Sequence, residues 1–128
     1  MSVSLPENVR RLVDGTTFAV LTTINKDGSP QSTVVWIKRD GDDVLFSTIR
    51  GRLKTRNMER DPRVSLCAYD PANPYVYFTV DGTVSLVEEG GDELIDELSV
   101  KYDGRPFTPT PGATRVVCRI TPDRVVER

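Results

Sequence analysis

Thr17-Phe18-Ala19-Val20-Leu21-Thr22-Thr23-Ile24, then Asn25-Lys26-Asp27-Gly28, then Ser29-Pro30-Gln31 and on to Lys38, reads as a strand, a tight turn and a return strand. The first run is β-branched and aromatic and apolar on both faces, as a central strand is. Gly28 supplies the positive φ that closes a hairpin turn. Arg39-Asp40-Gly41-Asp42 turns again into a strand from Asp43 to Thr48, so the three strands are expected to form a meander. In the second of them Gln31, Thr33, Val35 and Ile37 face one way, and Ser32, Val34, Trp36 and Lys38 the other. Polar residues at the start of an otherwise buried strand fit a wet or liganded end equally with a partly exposed barrel rim.

Working outward, Ser4-Leu5-Pro6-Glu7 fits a capping box ahead of a short helix with Val9, Leu12 and Val13 on one stripe. Arg63 to Tyr69 alternates as a strand, and Asp70 to Pro74 is a stiff loop. Tyr75 to Val87 reads as one long strand with a bulge at Asp81-Gly82, because alternation survives through that dipeptide. Asp92 to Tyr102 is an amphipathic helix with acids in its first turn, as the helix dipole favours. Arg105 to Gly112 is a proline-stiffened loop. Thr114 to Thr121 is a last strand, followed by a short piece at Val125-Val126. The order predicts a mainly β (α+β) fold: one domain over residues 1–128, a small split antiparallel β-barrel with short flanking helices. A barrel that small is filled by its own side chains, so a large ligand must bind outside it.

Ser47-Thr48-Ile49-Arg50-Gly51-Arg52-Leu53-Lys54-Thr55-Arg56-Asn57-Met58, closed by Glu59-Arg60-Asp61-Pro62, opens a helix with cations crowded at its start. Unpaired N–H groups and the dipole favour anions there, and each misplaced cation costs about 0.3–1 kcal/mol on exposed surface. A bound anion reverses that sign, so this stretch is a candidate phosphate site beside the Ser47 and Thr48 hydroxyls. A solvated basic face paired with Glu59 and Asp61 is the plain alternative.

The 128 residues carry a net charge of −2, which gives no sign of a nucleic-acid partner. No apolar signal segment or membrane-length run is present, and a soluble cytoplasmic protein is expected. Cys67 and Cys118 lie in strand patterns without metal or redox spacing and are expected to be buried free thiols. Histidine is absent, which removes His-based nucleophile systems and His-liganded metals. Redox or group-transfer chemistry would then belong to an organic cofactor.

Phe18-Ala19-Val20-Leu21-Thr22-Thr23, Asp27-Gly28-Ser29-Pro30-Gln31, Lys54-Thr55-Arg56-Asn57 and Asp61-Pro62-Arg63-Val64, in that order, resemble the split β-barrel flavin/deazaflavin oxidoreductases, the pyridoxamine 5′-phosphate oxidase superfamily. Arg52-Leu53-Lys54-Thr55-Arg56-Asn57 and Ser29-Pro30-Gln31 are similar to the branch that uses coenzyme F420. The resemblance implies a homodimer with two cofactor grooves at its interface. It places the phosphate on Arg52 and Lys54 with Ser47 and Thr48 adjoining, and the ring along Gln31, Ser32, Thr33 and Val34. It puts Asn57 and Arg50 near the cofactor tail, and Tyr75 or Tyr77 in the partner's groove. Members acting on pyridoxamine phosphate carry an Arg on the 31–38 strand and an Arg-x-His near the C-terminus. Here the strand reads Val34-Val35-Trp36-Ile37 and histidine is missing, which counts against that substrate and against FMN.

The expected function is hydride transfer between F420 and a small unsaturated or conjugated molecule, with the proton from solvent or a tyrosine and no nameable catalytic residue. The alternatives are an FMN-dependent oxidoreductase of the same fold and a non-catalytic F420/flavin carrier. A nucleic-acid-binding barrel using Arg50 to Arg63 is opposed by the acidic pI of about 5.2. No nucleic acid, membrane or metal partner is expected.

Overall fold

In the computed structural model, which describes residues 2–128, the strand expected from Gln31 to Lys38 is cut in two. The chain runs α1 (Glu7–Asp14), β1 (Ala19–Ile24), β2 (Pro30–Val35), β3 (Lys38–Asp40), β4 (Asp43–Ile49), α2 (Leu53–Arg60), β5 (Arg63–Asp70), β6 (Asn73–Val87), α3 (Gly91–Asp103) and β7 (Arg115–Glu127). All strand pairs are antiparallel, in a seven-stranded sheet of order β2-β1-β5-β6-β7-β4-β3. The expected meander is therefore replaced by two hairpins at opposite edges of the sheet. Only Trp36 and Ile37 join β2 to β3, so those edges must curl toward each other. This is a split barrel, mainly β, with three helices against it.

The filled interior is one cluster that includes Leu21, Phe46, Leu66, Phe78, Val80, Val116 and Ile120. The amphipathic stripe of α1 adds Val9, Leu12 and Val13, and α2 adds Met58. A second cluster lies outside the barrel, where Leu94 and Leu98 of α3 pack on Leu45, with Trp36, Tyr102 and Val117 at its margin.

Several local expectations need correction. The capping box is not made: Pro6 is the N-cap of α1 without a side-chain bond, and the Leu5 N–H donates instead to Asp42 at 2.9 Å. The first strand is not buried on both faces, since Val20 and Thr22 point away from the core. Cys67, paired with Val20 in register, shares that outward face and is exposed, whereas Cys118 is buried. Burial pushes the Cys118 thiol up to about 12. Residues 115–127 form one strand across Pro122, with no separate final piece.

The long sixth strand runs unbroken, as its alternation predicts. Its register against β7 slips between Asp81 and Gly82, and the skipped residue is Asp123 of β7. Gly82 is required there, because a Cβ would stand 2.2 Å from the Thr121 carbonyl oxygen.

Candidate functional site

Helix α2 is fastened to the barrel from below by its own polar residues. Thr55 donates its hydroxyl to the Ile49 carbonyl at 2.7 Å, so the buried Thr48 hydroxyl must donate to Thr55 Oγ1 at 2.9 Å. The Asn57 amide, also buried, donates to Asn25 Oδ1 at 2.9 Å and Thr23 Oγ1 at 3.1 Å, and lies 3.4 Å from Gln31 Oε1. Gln31 Oε1 further accepts the Thr23 hydroxyl at 3.0 Å. Thr48, Asn57 and Gln31 therefore join α2 to the barrel wall, and their polar groups are engaged inside the protein. Sequence spacing put them near the start of α2 but could not tell a supporting group from a free one.

The opposite side of α2 carries the groove. Val34, Val35 and Trp36 from the end of β2, Ser47 from β4, Arg52 and Lys54 from the start of α2, and Ile95 and Leu98 from α3 line one cavity of about 150 Å³. The candidate site residues Val34, Ser47, Arg52 and Lys54 thus come together from three parts of the chain. Arg52 is the N-cap and contributes no side-chain cap, so the first-turn N–H groups remain free. Burial pushes the Lys54 ammonium down, and the nearby Arg52 charge pushes it further.

A third cation completes this lip, and the strand pattern gave no sign of it. Arg115, outward-facing on β7, has Nη1 3.4 Å from Ser47 Oγ and stacks over the Phe107 ring at 4.7 Å. Burial, then the charge of Arg52, lowers its pKa. Among the described residues no carboxylate makes an ion pair with Arg52, Lys54 or Arg115. By contrast, Arg10, Arg11, Lys38, Arg39, Arg63 and Arg119 each have an acidic partner. Three mutually repelling cations without ion-pair partners, around a hydroxyl and a helix N-terminus, are a candidate anion site.

Arg50 is not part of it. Its guanidinium is held between Glu59 at 2.7 Å and Glu88 at 3.0 Å. A separate groove of about 560 Å³ lies along α2, lined by Asn25, Lys26, Asp27, Leu53, Arg56, Asn57 and Arg60. Arg56 and Lys26 are likewise without acidic partners among the described residues, and Arg60 donates to the Ile24 carbonyl and to Asn57 Oδ1.

The remaining site residues lie elsewhere on the sheet. Alternation sends Gln31 and Thr33 inward but Ser32 and Val34 outward, so the four do not form one surface. Ser32 shares a hydrogen bond with Thr22 at 3.0 Å. Thr33 Oγ1 is buried with no hydrogen-bond partner, alone in this among the described side chains. Tyr77 is paired across β5 with Tyr69 and takes a 3.3 Å bond from Arg128. It lines neither groove.

Residues 5–128 match the family described as pyridoxamine 5′-phosphate oxidase. A solved structure titled F420 reductase is 31% identical, with 95% of this chain and 98% of that one covered and a TM-score of 0.85. A conserved hypothetical protein from Mycobacterium tuberculosis is 24% identical, covering 98% and 85%, with a TM-score of 0.80. General stress protein 26 from Bacillus anthracis shares the fold at 20% identity and a TM-score of 0.72, covering 94% and 91%.

Proposed function

Because the chain belongs to the pyridoxamine 5′-phosphate oxidase family, we propose that it is an F420-dependent oxidoreductase acting on a small unsaturated or conjugated molecule. The observation that carries this reading is the set of cations without ion-pair partners, Arg52, Lys54 and Arg115, around Ser47, together with the basic groove farther along α2. The phosphate of FMN is terminal, whereas that of F420 continues into an anionic oligoglutamate tail. A groove bearing Arg56, Arg60 and Lys26 beyond the phosphate lip suits the second cofactor better. The F420 reductase similarity supports the same choice.

The residues present fit such a group. Arg52, Lys54 and Arg115 would hold the phosphate with Ser47 and the free N–H groups of α2. Val34, Trp36, Ile95 and Leu98 supply apolar wall for a flat ring. Strand β2 is a sheet edge, so its outer N–H and C=O groups are available to a ring's polar rim. Reduced F420, when bound, supplies a hydride to the acceptor, with the balancing proton drawn from solvent or a tyrosine. The chain's own contribution is to orient the pair and keep the phosphate charge neutralised.

Titration of apo-protein with F420 and with FMN under identical conditions tests this. We expect about one F420 per chain and FMN at least about tenfold weaker, a difference of roughly 1.4 kcal/mol. Equal or tighter FMN binding would overturn the cofactor assignment, and binding of neither would overturn the function.

The reading includes a homodimer. The outward face of β2, β1, β5 and β6 carries Phe18, Val20, Val34, Cys67 and Tyr69, with Arg63 and Asp81 as charges at its far end. An apolar face of this kind beside the groove is suited to a second copy, whose Tyr75 or Tyr77 would then approach the ring. In sedimentation we expect a dimer in which Cys67 resists a thiol reagent. A monomer that binds F420 at full stoichiometry would refute it.

A further inference from the structure

The crossover between β2 and β3 has a problem of backbone chemistry. Ile37 lies between two strands that end at opposite sheet edges, so neither its N–H nor its C=O has a ladder partner, yet the residue is fully buried. Two consecutive side chains of α3 solve this. The Ile37 N–H donates to Tyr102 Oη at 3.1 Å, and that hydroxyl donates to the Thr17 carbonyl at 2.8 Å. Lys101 Nζ donates to the Ile37 carbonyl at 2.6 Å and to the Val13 carbonyl at 2.7 Å. Tyr102 does a second thing from the same position: its ring lies flat against Trp36, with centroids 5.4 Å apart and planes 6° from parallel. Trp36 is a wall of the groove.

We propose that Tyr102 is a positioning residue for the cofactor ring, acting through Trp36 without touching the cofactor itself. The inference rests on the groove being the F420 site. Lys101 and Tyr102 hold the crossover shut, and the stack fixes the indole at the ring end of the groove. The phosphate lip at Arg52, Lys54 and Arg115 makes no contact with this latch, so the two ends of the site respond separately to mutation.

Trp36 is the sole tryptophan, and its fluorescence reports on the latch without any cofactor. In Tyr102→Phe the ring remains but every bond of its hydroxyl, to the Ile37 N–H and to the Thr17 and Ile37 carbonyls, goes. We expect folded protein whose emission moves to the red and whose acrylamide quenching rises. F420 affinity should fall about tenfold, the scale of one lost bond to a buried backbone group, with its salt dependence unchanged. Trp36→Leu should cost a similar factor, and the double variant no more than either single one. Unaltered Trp36 emission and quenching in folded Tyr102→Phe would overturn the latch. Additive losses in the double variant would overturn action through Trp36, and should Tyr102→Phe not fold, unchanged F420 affinity in Trp36→Leu does the same. If the wild type binds no F420, the function proposed above fails, while the fluorescence comparison still decides whether Tyr102 positions Trp36.

Discussion

Alanine at both Arg52 and Lys54 should weaken F420 binding by about a hundredfold or more while leaving the fold at least as stable as before. Each side chain offers a charge-assisted hydrogen bond to the phosphate, worth roughly 1.5–3 kcal/mol, and Lys54→Ala alone should cost ten- to a hundredfold. The two effects will not simply add, because each cation raises the cost of holding the other: Lys54 is pushed down by its own burial and then by Arg52. The same repulsion explains the stability half of the prediction. Removing a cation from the first turn of α2 relieves an unfavourable dipole interaction, and no carboxylate is left stranded. Calorimetric titration at two salt concentrations reads the first effect, with a shallower salt dependence in the variant, and thermal unfolding reads the second. A basic face that served only structure would give the reverse: unchanged affinity and a lower melting temperature.

Gly91→Ala should damage fold and site together. Gly91 opens α3 on the backbone of Arg115, where a Cβ would lie 2.3 Å from the Arg115 carbonyl oxygen and 2.7 Å from its carbonyl carbon. No side-chain rotation relieves a clash with backbone, so either the start of α3 lifts or β7 shifts. We expect a loss of about 3 kcal/mol, the upper part of the usual range for overpacking, measured as a lower denaturant midpoint. We also expect weaker F420 binding in the fraction that folds, because Arg115 belongs to the lip and Ile95 and Leu98 of α3 to the wall. A variant with wild-type stability and affinity would mean that α3 is free to ride away from β7.

What could be read from the sequence divides along the range of the interactions involved. Turn residues act locally: Asp27-Gly28 and Gly41 placed both hairpins, and Gly51 and Asp61-Pro62 bracketed α2. Alternation through Asp81-Gly82 correctly kept β6 whole. Pairing over long distances was not legible. Nothing in Val35-Trp36-Ile37-Lys38 marks the point where one strand leaves the first sheet edge for the other, because the hydrophobic period continues across the break. Cys67 was misplaced because alternation gives two faces without saying which is inside. The anion lip was half visible, since Arg52 and Lys54 adjoin in the chain and their charges oppose the helix dipole. Arg115 reaches the same place from a strand 60 residues later, and only the β4–β7 register, with Ile49 opposite Arg115, brings it there. Thr48 and Asn57 show the converse: they lie next to these residues in the chain, but their side chains are turned to hold α2 on the barrel.

The sheet order also dictates when the molecule can be completed during synthesis. Strand β4 has one partner immediately before it, β3, and its other partner is β7, with Val44 opposite Ile120. Until residues 115–127 leave the ribosome, the inner edge of β4 has nothing to pair with, and β6 is likewise short of one neighbour. The β3–β4 hairpin must therefore wait for β7 before it can join the rest of the sheet. Closing the long loop between β4 and β7 makes for slow folding compared with helical domains of the same size. Loss of even part of residues 115–127 removes pairing from both strands at once, so a prematurely ended chain exposes two sticky edges. Such products are candidates for degradation or aggregation, and partial function is not expected of them.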